Sequence, residues 1–281
     1  MIFPENMGEY LSIDELSLSK GELYTFVTNK SGRGKQGTLV ASIKGTLIKD
    51  IVSVLEKIPL GVRNNVKEVT LDMANNMEAS AIRAFPNARL VTDRFHVIRL
   101  AIEALQGVRI TYRWKELDKE NRAIERSKKN GKRYRPKRFV NGDTPKQLLA
   151  RSRYILTKKP NEWSVAQRQR AHILFKHYPE LEKVYKHVLE FRSIYETTDK
   201  RKAVIRFNEW INRTDELGIK EFNTVANTVK NNFDNILNFF ITRHTNANAE
   251  SFNSKIKLFR ANQRGVTDHT FFLFRLSKLF A

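Results

Sequence analysis

Strand-like patterning in this 281-residue chain is confined to its first third. Tyr10 to Glu15 (YLSIDE) alternates apolar and polar residues, the period of a half-buried strand. Leu23 to Thr28 (LYTFVT) and Thr38 to Ile43 (TLVASI) are rich in β-branched and aromatic residues and predict two more strands. Between them, Asn29 to Gly37 (NKSGRGKQG) has three glycines and no apolar residue, the composition of a turn. Three strands so closely spaced predict an antiparallel meander. Thr46 to Ile58 then switches to helical spacing, with Leu47, Ile51, Val54, Leu55 and Ile58 on one face. Val66 to Leu71 predicts a fourth strand, Met77 to Phe85 a helix stopped by Pro86, and Ala88 to Thr92 a fifth strand. The order β-β-β-α-β-α-β implies a mixed five-stranded sheet, because parallel neighbours need crossover helices.

From His96 to Thr242 no segment reads as a strand. Amphipathic stretches run through Val97–Lys129, Thr144–Leu156, Val165–Glu196, Lys200–Glu216 and Phe222–Ile241. They are interrupted by a basic loop, Lys128 to Phe139 (KKNGKRYRPKRF). A helix follows over Asn246 to Arg260, and an amphipathic tail over Phe271 to Phe280. The expected organisation is an α/β core over 1–96, an all-helical insertion over 97–242, and a return to the core over 243–281.

Charge follows the same division. The chain carries 51 Lys and Arg against 30 Asp and Glu, a net of +21. Residues 1–100 hold only +2 of that and residues 101–281 hold +19. Such an excess implies a polyanionic partner, most commonly nucleic acid. The segment Arg109 to Phe139 alone is +9, with Tyr112, Trp114, Tyr134 and Phe139 interleaved. Lys128, Lys129, Lys132, Arg133, Arg135, Lys137 and Arg138 are its expected phosphate contacts. The three tryptophans, 114, 163 and 210, read as helix-packing residues. No apolar run approaches the roughly 18–20 residues of a membrane span. No basic leader opens the chain. There is no cysteine, hence no disulfide or thiolate zinc site. These features fit a cytoplasmic protein.

Three acids are expected where strands end: Asp14, Asp72 and Asp93. A single Asp after an apolar strand is often a turn former or helix cap. Three in one small sheet are a different matter. With the first, fourth and fifth strands as parallel neighbours, their carboxylates gather at one edge, where open α/β sheets bind ligands. Clustered carboxylates suit a hard divalent cation. Glu250, far along the chain, shares a helix face with Asn253, Ser254 and Lys257. His96 lies three residues after Asp93, placed to orient a carboxylate.

These residues resemble the acidic triad of DDE transposases and retroviral-type integrases. Asp93-Arg94-Phe95-His96 is similar to the C/D-x-x-H signature found among such enzymes. The wording TLDMANNM, FPNARLVTDRFHVIRL and NANAESFNSKIK is similar to the ISL-type insertion-sequence transposases of bacteria, over roughly residues 10–275. The resemblance implies a ribonuclease H-like core interrupted by a large all-α insertion before a final catalytic helix. It implies Asp14, Asp72 and Glu250 as catalytic and metal-binding residues for two Mg²⁺ or Mn²⁺ ions. Asp93, His96 and Asn253 would support them. Asp93 is the alternative second acid; Asp72 is preferred because its strand follows the first crossover helix. Arg94, Lys255 and Lys257 join the expected DNA contacts.

The implied activity is cleavage of double-stranded DNA at transposon ends and strand transfer into target DNA. It would take place on the bacterial nucleoid, in a homodimer or larger synaptic complex. The family usually carries an N-terminal DNA-binding region. This chain starts thirteen residues before Asp14 without a cysteine, so that region is expected to be missing. The competing readings are a non-catalytic DNA-binding relative, another ribonuclease H-like nuclease, and an RNA-binding protein.

Overall fold

A computed structural model describes residues 1–19, 22–263 and 268–281. Its contacts divide the chain into two compact units: Met1–Val97 with Asn232–Ala281, and Ile98–Asn231.

The first unit is built on a five-stranded sheet of order β3-β2-β1-β4-β5. The strands are β1 (Tyr10–Ser19), β2 (Glu22–Asn29), β3 (Leu39–Lys44), β4 (Glu68–Leu71) and β5 (Arg89–Thr92). β1, β2 and β3 are antiparallel, while β1–β4 and β4–β5 are parallel. The mixed sheet therefore has the predicted strand order, with one consequential difference. Asp14 does not end its strand. β1 continues through it to Ser19, pairing Asp14 with Phe26 of β2. The alternating run Leu16-Ser17-Leu18 extends the strand period beyond the charged residues Asp14 and Glu15.

One sheet face is apolar. Leu11, Ile13, Val27, Val69, Leu71 and Leu90 pack against α1 (Ile48–Leu55) and α3 (Asn75–Ala84), through Ile51, Leu55, Met77 and Ala81. Between these helices lies the short α2 (Leu60–Arg63). Burying this set removes several large side chains from water, at about 1.5–3 kcal/mol each before entropy costs. The other face is polar along much of its length. Tyr10 lies beside Glu68 and Ser12 beside Thr70 in the parallel β1–β4 register. Period-two alternation puts Asp14 and Asp72 in the same rows.

In the second unit the helices are α4 (Arg94–Lys129, whose first four residues belong to the first unit), α5 (Pro145–Arg151), α6 (Val165–His177), α7 (Pro179–Ile194), α8 (Lys200–Leu217) and α9 (Lys220–Asn231). Its core is aromatic: Trp210, Phe191, Phe207 and Phe222 are buried, and His187 stacks on Trp210 at 4.5 Å between ring centres. Burial pushes the His187 imidazole down to about 4, so it is neutral in the core. Two stretches expected as single helices are each two. Pro179 has no amide hydrogen to continue α6, and Asn232 leaves the helical conformation at φ −110° and ψ 20°.

After Asn232 the chain returns to the first unit earlier than the expected residue 243. α10 (Phe233–Thr242) covers the edge strand β5, with Asn238 Nδ2 donating to the Leu90 carbonyl at 2.9 Å. α11 (Ala247–Asn262) and α12 (His269–Phe280) follow. Phe252, Ile256, Phe272 and Leu276 from these two helices form a second core with Leu16, Phe26 and Leu39. No helix among the described residues is long and apolar enough to cross a membrane.

Candidate active site

The polar sheet face carries the acids. Asp14 projects from the middle of β1, and both its oxygens accept hydrogen bonds. The Glu15 amide donates to Oδ1 at 2.9 Å, and Asn253 Nδ2 of α11 donates to Oδ2 at 2.7 Å. Neither donor is a cation. Burial, with the charges of Asp72 and Asp93, pushes the Asp14 carboxyl up to about 6, against opposing effects of the Glu15 amide and His96. Asp72 follows β4 directly and accepts the Ala74 amide at 2.9 Å, turning the chain into α3.

Asp93 follows β5 and is fully buried. It precedes α4 and accepts the Phe95 amide at 3.4 Å, as a capping residue does. Its other oxygen meets His96 Nδ1 at 3.0 Å. That hydrogen bond raises the His96 pKa above the usual histidine range, and the charges of Asp93, Asp14 and Asp72 add to it. The Asn246 amide also reaches Asp93 Oδ1, at 3.4 Å. Asn246 itself is fully buried, and neither of its side-chain polar atoms has a protein hydrogen-bond partner.

Glu250 lies in the first turn of α11 and is exposed. Burial of its carboxyl and the charge of Asp93 raise its pKa, while His96 opposes them. Asp14, Asp72, Asp93 and His96 therefore share one electrostatic neighbourhood, and Glu250 senses its Asp93–His96 side. Among the described residues, no three carboxylate or imidazole groups are grouped closely enough to hold one ion.

A family model described as transposase, of the DDE ISL3 type, matches residues 11–276. The chain belongs to the ISL3-type DDE transposase family. The transposase for insertion sequence element IS1001 of Bordetella parapertussis is 24% identical over 274 residues, covering 97% of this chain and 61% of the relative. The chain thus spans about three fifths of the length of that curated relative. No solved structure matches it.

The expected DNA contacts fall into two groups. Lys128, Lys129, Lys132, Arg133, Arg135, Lys137 and Arg138 are all exposed, at the end of α4 and in the segment after it. Lys257 is exposed on α11. Arg94 stacks its guanidinium on Phe95 and Phe239, and Lys255 donates to the Gly34 carbonyl at 2.7 Å. These last two cations are engaged within the transposase fold.

Sequence reasoning passed over one constellation. Glu68, at the start of β4, is buried beneath Lys30, His244 and Thr242. Its only trace in the sequence is a glutamate opening an apolar strand. Nothing local indicates that its partners come from β2's turn and from a loop more than 170 residues away.

Proposed function

We propose that this chain is the catalytic part of a DDE transposase. It is a ribonuclease H-like enzyme that cleaves double-stranded DNA at transposon ends and joins the freed end to target DNA. The observation that carries the reading is the placement of Asp14 on β1 and of Asp72 directly after the neighbouring parallel strand β4. The helix of Glu250 is tied to Asp14 through Asn253. The sheet order and the late helix that carries Glu250 support the ribonuclease H-like assignment.

Asp14, Asp72 and Glu250 are the proposed holders of two Mg²⁺ or Mn²⁺ ions. The donors are carboxylate oxygens, which suit hard cations. Burial first, and then the neighbouring charges of Asp72 and Asp93, raise the Asp14 pKa. When bound, such ions lower the pKa of an attacking water and offset charge on the leaving 3′ oxygen.

The chain's own residues orient and hold. Asn253 fixes the Asp14 carboxylate by its amide. Asp93 caps α4 and holds His96 through Nδ1, which raises the His96 pKa. The exposed cations of residues 128–138 and Lys257 bind backbone phosphates without reading sequence. The assembly is a homodimer or a larger synaptic complex. The exposed Phe271, Phe274 and Leu279 on α12 support an interface of that kind. The proposed setting is the bacterial cytoplasm, on the nucleoid. Asp14→Asn and Glu250→Gln are expected to abolish cleavage of transposon-end DNA while leaving DNA binding intact. A variant that still nicks contradicts the site. Strand transfer from a pre-cut end separates a transposase from a purely hydrolytic nuclease.

A further inference from the structure

The polar face of the sheet continues beyond the acids into a second site. A cleft of about 370 Å³ is lined by Tyr10, Lys30, Arg33, Arg243, His244 and Thr245, among others, and by no carboxylate among the described residues. Glu68 is buried, paired with Lys30 at 3.5 Å and hydrogen-bonded to His244 Nδ1 at 3.0 Å. The Tyr10 ring packs edge-on against His244. The surface of the cleft is therefore cationic.

Its backbone is unusual at two places. Among the described residues, Arg33 and Arg243 are the two non-glycine residues with left-handed backbone, at φ 51° and 59°. Both line this cleft. Arg243 ends α10 in the conformation that Gly218 adopts at the end of α8. Glycine suits that position, because any Cβ is disfavoured there. Both arginines are exposed, the Arg243 guanidinium over the Phe239 ring at 5.4 Å, so the strain of the two turns is retained where two guanidinium groups border the cleft. Their planar forks match tetrahedral oxyanions.

Both turns are also tied to the acid cluster. The turn of Arg33 is held through the Gly34 carbonyl by Lys255 of the Glu250 helix. The loop after Arg243 is held through the Asn246 amide by Asp93. Tyr10 and Asp14 lie four residues apart on the same face of β1, about 13 Å at strand spacing. That distance corresponds to roughly four nucleotides of duplex rise.

We propose that this cleft binds a backbone phosphodiester of the DNA, with Arg33 and Arg243 as its ligands. It sets the register of the strand against Asp14. The proposal rests on DNA being the substrate, and the test separates the two. Binding of the full chain to a fluorescein-labelled duplex of arbitrary sequence is measured by anisotropy across an NaCl series, with thermal melting alongside. The proteins are the unaltered chain, Arg33→Gly, Arg243→Gly and Arg243→Asn. Glycine and asparagine accept the left-handed turn, so melting temperatures are expected to stay level or rise. Affinity is expected to fall roughly tenfold per arginine, and the log–log salt slope to shrink by about one per lost phosphate contact. Unchanged affinity and slope in all variants, with binding by the unaltered chain, overturn the cleft alone. So does a loss confined to variants that melt earlier. No binding by the unaltered chain overturns the DNA reading and the cleft with it.

Discussion

Asp143 and Asp14 are both withdrawn from water, and the fold treats them in opposite ways. Asp143, in the helical unit, is fully buried between Arg151 and Arg170, and Asn141 also donates to it. Two cations match its charge, and it serves packing. Asp14, in the sheet unit, receives only an amide and a backbone N–H, and it faces Asp72 and Asp93. Glu68 sides with Asp143, since Lys30 pairs with it and His244 hydrogen-bonds to it only two rows along the same sheet face. A buried carboxylate with a structural task is given counter-charge by the protein itself. Asp14, left among other acids, is the carboxylate proposed to hold a cation.

The contrast is testable in order of effect. Asp14→Asn is expected to lower DNA cleavage by roughly a thousandfold or more, a loss that a purely structural acid would not show. Cleavage assays on end DNA check this, and Asp143→Asn should retain cleavage wherever it folds. Asp143→Asn is expected to destabilise its unit by about 3 kcal/mol, read by urea unfolding, because the fully buried acceptor of both arginines loses its charge. Mn²⁺ at a hundredfold excess over its dissociation constant should stabilise the unaltered chain by about 2.7 kcal/mol. Asp14→Asn should abolish that gain, and binding should weaken as pH falls through about 6, where Asp14 takes up a proton.

The smallest effect has the opposite sign to that of Asp143→Asn. Without metal, Asp14→Asn should stabilise the protein by about 1–2 kcal/mol at pH 8. A carboxyl whose folded pKa is raised from 3.8 to about 6 costs nothing when protonated in both states. Its cost grows between those values and is complete above the higher one. The melting gap should therefore open from pH 4 to about 6 and then stay flat. A gap that closes as pH rises would place Asp14 with the neutralised acids.

The sheet was legible because period two and tight turns are local signals. Five strand runs and two crossover helices dictated its order. The shared electrostatic neighbourhood of Asp14, Asp72, Asp93 and His96 follows from that order. Local pattern failed where packing decided. β1 runs past Asp14, because a mid-strand carboxylate is tolerated once Asn253, 239 residues away, donates to it. The break at Asn232 depends on a return to β5 that no short window contains. The partners of Lys255 and Arg94, Gly34 and Phe239, are distant in sequence and so had no local signal. The Glu68 cluster was invisible for the same reason.

The central claim is that the acids on the polar sheet face form a divalent-metal site. Anomalous diffraction from Mn²⁺-soaked crystals of the full chain tests it most directly. The account predicts manganese peaks in contact with Asp14 and Asp72, with Glu250 of α11 drawn onto them. Peaks elsewhere, with Asp14 still bound only to Asn253 and the Glu15 amide, would contradict it.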